Sequence, residues 1–214
     1  MKKALILVAV LLFAGLAYAN TTYNNFNGYS DYWHPYGYPN TATYGELFTA
    51  PNNADTNLSS FSFFMGSPIA NATIVTGAYI ATWNGSGAGT LLYSSPQINY
   101  DNLGDEEITI NTGGLGLQAG AQYVAFLSIS QYYGQSGGEA YVSQGGAIPG
   151  LNGFVYNNNG GDFNSLFTTT WSGPLSPDWA VDLEFTPGVP EPSSLLLLGT
   201  GILGGLGILR RKLF

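Results

Sequence analysis

Ala180-Val181-Asp182-Leu183-Glu184-Phe185 alternates apolar and acidic residues along its length. Successive side chains of a strand point to opposite faces, so Val181, Leu183 and Phe185 are expected to face a core while Asp182 and Glu184 face water. Similar runs, rich in β-branched and aromatic residues, lie upstream at Leu58 to Phe64, Thr73 to Trp83, Glu106 to Thr112 and Gln122 to Ser130. Shorter ones span Tyr44 to Thr49, Thr90 to Tyr93 and Phe154 to Tyr156. Between them stand turn signals such as Asn84-Gly85-Ser86-Gly87 and Gly160-Gly161-Asp162. No stretch holds a helical period long enough to define a helix in this region. The pattern predicts an all-β fold, an antiparallel β-sandwich of jelly-roll kind. No repeat at solenoid or propeller spacing is evident.

The chain has 214 residues, enough for one domain plus targeting segments. Hydrophobic residues make up 45% and charged residues only 8%, so a sizeable core is available and the surface must be polar mainly through neutral side chains. All five basic residues lie at the ends, as Lys2, Lys3, Arg210, Arg211 and Lys212. Between Ala4 and Leu209 there are thus thirteen Asp and Glu, no Lys or Arg and one histidine, His34. Nucleic-acid binding needs clustered basic side chains to neutralise phosphates and is excluded as a function class. An anionic membrane surface would likewise repel the domain. With no cysteine, disulfides, thiol catalysis and thiolate metal sites are unavailable.

Residues 1–19 read as a signal peptide: Lys2 and Lys3, then an apolar stretch, then Ala17-Tyr18-Ala19 before Asn20, which is the pattern signal peptidase cuts. Residues 20–187 are the expected ectodomain, and 188–214 a tail. The tail opens with Val189-Pro190-Glu191-Pro192, runs uncharged from Ser193 to Leu209 and ends on Arg210, Arg211 and Lys212. A helix over 193–209 would be about 25 Å long, at the short end of what spans a hydrocarbon core. Its glycines, such as Gly201 and Gly204, are tolerated in membrane helices. The basic cluster is expected to stay in the cytoplasm, which puts the acidic domain outside. The expected fold is thus a sandwich flanked by an N-terminal signal helix and a C-terminal transmembrane helix.

Val-Pro-Glu-Pro, an apolar Gly-rich span and an Arg-rich end together resemble the PEP-CTERM sorting signal. The resemblance covers about the last 26 residues of the chain and marks Pro190, Glu191, Pro192, Arg210, Arg211 and Lys212 as the sorting motif. It implies an exported protein of a bacterium that makes extracellular polysaccharide, anchored in the inner membrane by its tail. An exosortase-like membrane enzyme is then expected to process it at the Pro-Glu-Pro region for the cell surface or matrix. A plain tail anchor is the simpler alternative, with Pro190 and Pro192 merely ending the last strand. Segments such as Gly45 to Pro51, Ala78 to Trp83 and Ala119 to Leu127 are similar to jelly-roll ectodomains of such proteins, and this looser resemblance supplies no catalytic residues.

A lone histidine, set in Trp33-His34-Pro35, leaves little room for a nucleophile with a base, and no Gly-x-Ser-x-Gly elbow is present. Without internal Lys or Arg, phosphoryl transfer and Schiff-base chemistry are excluded. The expectation is a non-enzymatic surface or matrix protein. The alternative is a secreted glycan-active enzyme using a carboxylate pair, for which Asp182 and Glu184 are the visible outward pair. A third reading is a biofilm component that binds its own kind. No cofactor is expected, though Asp101, Asp105, Glu106 and Glu107 supply enough oxygen ligands to be a candidate Ca²⁺ site or else a solvated acidic turn. Tyr32, Trp33, Tyr36 and Tyr38, with Tyr29 before them, form the densest aromatic stretch. Flat rings with polar tips stack on sugar faces, so these four are the candidate polysaccharide-binding residues; the alternative is that they fill the core or cover a sheet edge. Sequons at Asn20, Asn57, Asn71 and Asn84 carry no weight in an Asn- and Thr-rich chain.

Overall fold

The alternating stretch is a strand, Val181–Thr186, in which Val181, Leu183 and Phe185 are buried, Asp182 is half-buried and Glu184 is exposed. The computed structural model describes residues 20–27, 31–68, 72–101 and 105–188, with backbone alone at His34, Ser67 and Pro68. The expected signal helix at 1–19 and transmembrane helix at 193–209 lie outside the described residues, as does the whole sorting motif. Among the described residues no helix is long and apolar enough to cross a membrane.

Fourteen strands are described: β1 (Thr21–Asn24), β2 (Tyr32–Gly37), β3 (Thr43–Thr49), β4 (Asn57–Pro68), β5 (Ile74–Trp83), β6 (Ala88–Ser94), β7 (Ile98–Tyr100), β8 (Glu106–Gly116), β9 (Gln122–Ser128), β10 (Glu139–Gly145), β11 (Leu151–Asn157), β12 (Ser172–Leu175), β13 (Asp178–Trp179) and β14 (Val181–Thr186). Two short 3-10 turns, Ser130–Tyr132 and Phe163–Phe167, are the helical elements among them. Every strand expected from the sequence is present; β1, β2, β7, β10, β12 and β13 were not anticipated.

The strands form two antiparallel sheets in a sandwich. Sheet 1 runs β1-β14-β4-β10-β13, with β8 on the opposite edge of β4 and β2 on β10. Sheet 2 runs β12-β11-β3-β9-β5-β6, with β7 also on β5. From β3 to β11 the chain passes back and forth between the sheets. The Asn84 turn shows how local chemistry sets the hairpins: the Asn84 side-chain oxygen accepts from the Ser86 and Gly87 amides, and Gly85 takes a φ of 94° open to glycine.

The core lies between the inner faces. From sheet 1 come Phe61, Phe63, Met65, Val142, Leu183 and Phe185; from sheet 2 come Tyr44, Phe48, Ile80, Tyr123, Leu127 and Phe154. Trp179 is fully buried among them, stacked on Phe63 at 4.3 Å, and its indole N–H donates to the Phe64 carbonyl at 3.3 Å. Such rings each remove a large apolar area from water, the main favourable term of folding.

One inward position is charged. Glu46 sits on β3 between Tyr44 and Phe48 and is fully buried. A register shift between Leu151 and Gly153 releases the Gly153 amide from the ladder, and it donates to Glu46 Oε1 at 3.1 Å. The Trp179 amide donates to Oε2 at 2.9 Å, so one carboxylate joins a strand of each sheet. Burial, and secondarily the Asp178 carboxylate, hold the Glu46 carboxyl well above the ordinary carboxylate range.

Sheet 1 has a seam where the partner of β4 changes from β14, ending at Phe63, to β10, starting at Met65. Asn25 fills it. Its amide donates to the Trp179 carbonyl at 3.0 Å, its side-chain oxygen accepts from the Val181 amide at 2.8 Å, and its carbonyl accepts from Gly146 at 3.1 Å.

Candidate functional site

Because Phe61, Phe63 and Met65 point into the core, Ser60, Ser62, Phe64 and Gly66 lie on the outer side of β4. Register then builds rows across this outer face. Asn24, Asp182, Ser62 and Thr109 stand side by side from β1 to β8. Asn24 Nδ2 donates to Asp182 Oδ2 at 2.7 Å, and Ser62 Oγ donates to Thr109 Oγ1 at 3.0 Å. In the next row Ser60 Oγ donates to Glu184 Oε2 at 3.0 Å. Asp182 Oδ1 is sheltered from water with no hydrogen-bond partner among the described residues. Burial pushes the Asp182 carboxyl up, the Asn24 bond opposes this, and repulsion from Glu184 and Glu107 adds to it.

The other end of the same face is aromatic. Phe26 stacks flat on Phe64, with centroids 4.0 Å apart and planes 5° from parallel, beside Glu107 on β8. Two residues along β4, Gly66 leaves the space in which Tyr32 and Tyr141 meet, ring centroids 5.6 Å apart. A Cβ at Gly66 would come within 2.8 Å of both side chains, so only glycine permits the pair to lie on the sheet. The Tyr32 hydroxyl donates to Asp105 Oδ2 at 3.3 Å, and Tyr141 is 36% exposed. The outer face of sheet 1 therefore carries a band of rings, Phe26 over Phe64 and then Tyr32 with Tyr141, flanked by Asp105, Glu107, Asp182 and Glu184.

Of the four candidate polysaccharide-binding residues, Tyr32 alone joins this band. Trp33 turns inward, stacked on Phe154 at 4.9 Å, with its indole N–H donating to the Pro177 carbonyl. Tyr36 is fully buried, its hydroxyl 2.5 Å from Thr76 Oγ1, and burial raises its pKa. Tyr36 is thus corrected from surface to core, and Trp33 is half-buried with its ring packed against the core. Tyr38 is exposed at the far end of β2, edge-on to Tyr133 at 5.0 Å.

The candidate calcium residues are not gathered. Glu106 and Glu107 are consecutive in β8 and so face opposite sides, while Asp105 engages Tyr32. Among the described residues no group of three or more His, Asp or Glu is placed to hold a metal ion. An open groove of about 310 Å³ between β7 and β8 is lined by Tyr93, Ile98, Ile108 and Ile110 and holds no carboxylate or histidine.

Sequence reasoning missed Phe26, Phe64, Gly66 and Tyr141. A signal for two of them was present: Phe64 puts an apolar residue on the polar side of the Phe61 to Met65 alternation, and Tyr141 stands opposite Ala140 and Val142.

What marks the chain as an exported protein handled at a membrane is the tail that follows this domain. The family model of the PEP-CTERM protein-sorting motif matches residues 188–212. The chain is thus a PEP-CTERM domain-containing protein, exported, membrane-anchored and sorted to the surface through an exosortase-like enzyme. No curated protein matches it. Among solved structures, the cysteine protease and lectin-like domains of Cwp84, a surface-layer-associated protein of Clostridium difficile, are similar at 14% identity with a TM-score of 0.42. The similarity covers 69% of this chain and 32% of that one, so this chain spans about a third of that length.

Proposed function

We propose that the protein is a non-enzymatic component of the cell surface or extracellular matrix, whose sandwich holds polysaccharide on the outer face of sheet 1. The carrying observation is the band of flat rings on a rigid sheet, bordered by carboxylates and the Asn24 amide. Rings present an apolar surface to the faces of sugar rings, and the flanking oxygens and amide satisfy sugar hydroxyls. The non-enzymatic reading is supported by the use of the carboxylates. Glu46 is spent on two backbone amides inside the core, and Asp182 and Glu184 share one strand of an open face rather than facing across a cleft, as glycoside hydrolysis uses them.

Retention of the protein on polysaccharide from its own host tests the face. Tyr141→Ala and Tyr32→Ala are each expected to lower retention at least several-fold. No retention, or retention indifferent to both substitutions, defeats the reading. Removal of the tail is tested by intact mass: a product beginning at Asn20 and ending near Pro190 to Pro192 would contain no Lys or Arg and resist trypsin. Phe214 retained in every recovered form would make the tail a permanent anchor.

A further inference from the structure

The carboxylates of the band have no Lys or Arg in their own domain. No Lys or Arg occurs between Ala4 and Leu209, so nothing in the domain neutralises Asp105, Glu107, Asp182 and Glu184. Three of them press on one another: Asp182 lies in one row, Glu184 in the next along β14, and Glu107 on β8 beyond β4. Strand geometry sets the first two about 7 Å apart and puts β8 about 10 Å from β14. One oxygen of Asp182 is sheltered from water and has no hydrogen-bond partner among the described residues, so its charge is poorly solvated.

The ligands this face can take differ in charge. An acidic polysaccharide is repelled by every carboxylate along the band. A neutral one stacks and bonds but leaves the mutual repulsion in place. A polysaccharide bearing ammonium groups does both jobs: its amines make charge-assisted hydrogen bonds to the carboxylates, and they are attracted to the faces of tyrosine rings. A polymer repeats its amines, so binding one carboxylate brings the next amine to high local concentration at another.

We infer that the ligand of this face is a polysaccharide with free amino groups, a partly or wholly de-N-acetylated hexosamine polymer. This rests on the reading of the face as a glycan site and goes further by fixing the sugar chemistry. The exposed carboxylates Glu184 and Glu107 hold the amines, Asp182 beside them adds to the negative field, and the Tyr32 and Tyr141 rings carry the sugar faces.

Binding to the full-length protein in detergent micelles tests it with three probes: a chitosan oligosaccharide, its fully N-acetylated counterpart and an oligolysine of matching charge. The expected result is roughly tenfold tighter binding of the free-amine sugar than of the acetylated one. This preference should shrink as salt rises, because exposed charges are screened. Glu107→Gln, at an exposed strand position where folding is not at stake, and Asp182→Asn should each reduce the preference, while Tyr141→Ala should weaken both sugars. Equal binding of both sugars, still lost in Tyr141→Ala, overturns the amine inference and leaves the glycan face standing. Oligolysine bound as tightly as the free-amine sugar and indifferent to Tyr141→Ala overturns it too, since charge alone would then suffice. Failure of both sugars to bind defeats the inference and the glycan face together.

Discussion

The two outer faces of the sandwich meet the same physical demand in opposite ways. On sheet 2 the strands are apolar on both sides: Leu47, Tyr79, Ala81, Val124, Phe126 and Val155 point away from the main core into a second cluster. Such a face cannot be left in water, and the chain covers it with its own segment, residues 158–171. Phe163 packs on Tyr79 at 4.8 Å, and Trp171 lies edge-on to Phe126 at 5.4 Å with its indole N–H donating to the Leu166 carbonyl. On sheet 1 the alternation is kept and rings occur in one band, where the short segment after β1 lays Phe26 over Phe64. The same residue types are thus fully enclosed under the long strap of sheet 2, while on sheet 1 Tyr141 stays 36% exposed.

The comparison can be broken most directly at Trp171. Trp171→Ala removes the pin of the strap and should lower stability by about 3 to 5 kcal/mol. The denaturant midpoint would show it, and glycan retention of the molecules that remain folded should be unchanged. A loss under about 1 kcal/mol would mean the strap is not what shields sheet 2.

Next in size is the carboxylate that joins the sheets. Glu46→Ala orphans two buried backbone amides, a loss of about 3 kcal/mol after relief of the buried charge. Since the folded-state pKa of Glu46 is raised above its ordinary value of 4.5, ionisation at neutral pH works against folding. Stability should therefore rise as pH falls from neutral through the raised pKa and level off near the ordinary value. Asp178 and Asp182, also raised by burial, add with the same sign. Thermal melts across this window should flatten in Glu46→Gln, which stays neutral; a melting temperature that instead climbs with pH would contradict the assignment.

The smallest expected effect on stability is also the sharpest test of the contrast. Tyr141→Ala on the open face should change stability by about 1 kcal/mol or less while lowering glycan retention. Gly66→Ala should displace the Tyr32 and Tyr141 pair and reduce retention similarly, read by the same pull-down. A large loss of stability in Tyr141→Ala would make that ring structural and erase the distinction between the faces.

The long strands were legible because burial writes itself into their period: β14 alternates, while β5 and β9, buried on both sides, read as continuous apolar runs. Strand β2 was not, since Pro35 and Gly37 argue against a strand and its pairing with β10 is tertiary. Its faces were harder still. Trp33 and Tyr36 are three residues apart, which on a regular strand would send them to opposite sides. A bulge matches Ala140 to Tyr36 and Val142 to Trp33, so both turn inward. Counting aromatics could locate the stretch but not its sides. The sorting tail, by contrast, is read in order along the chain and needs no partner strand, so its motif was fully visible.

Among the described residues strand β1 pairs only with β14, so Thr21 lies beside Phe185 and Asn24 bonds Asp182, 158 residues further on. Contacts of such separation form late, because a long loop must close before they return any stabilisation. Sheet 1 cannot be completed until the last strand has crossed the membrane, and the sorting motif begins two residues after that strand ends. The strand that completes sheet 1 and the sorting motif are thus neighbours in the chain, so the last step of folding falls next to the stretch that is sorted.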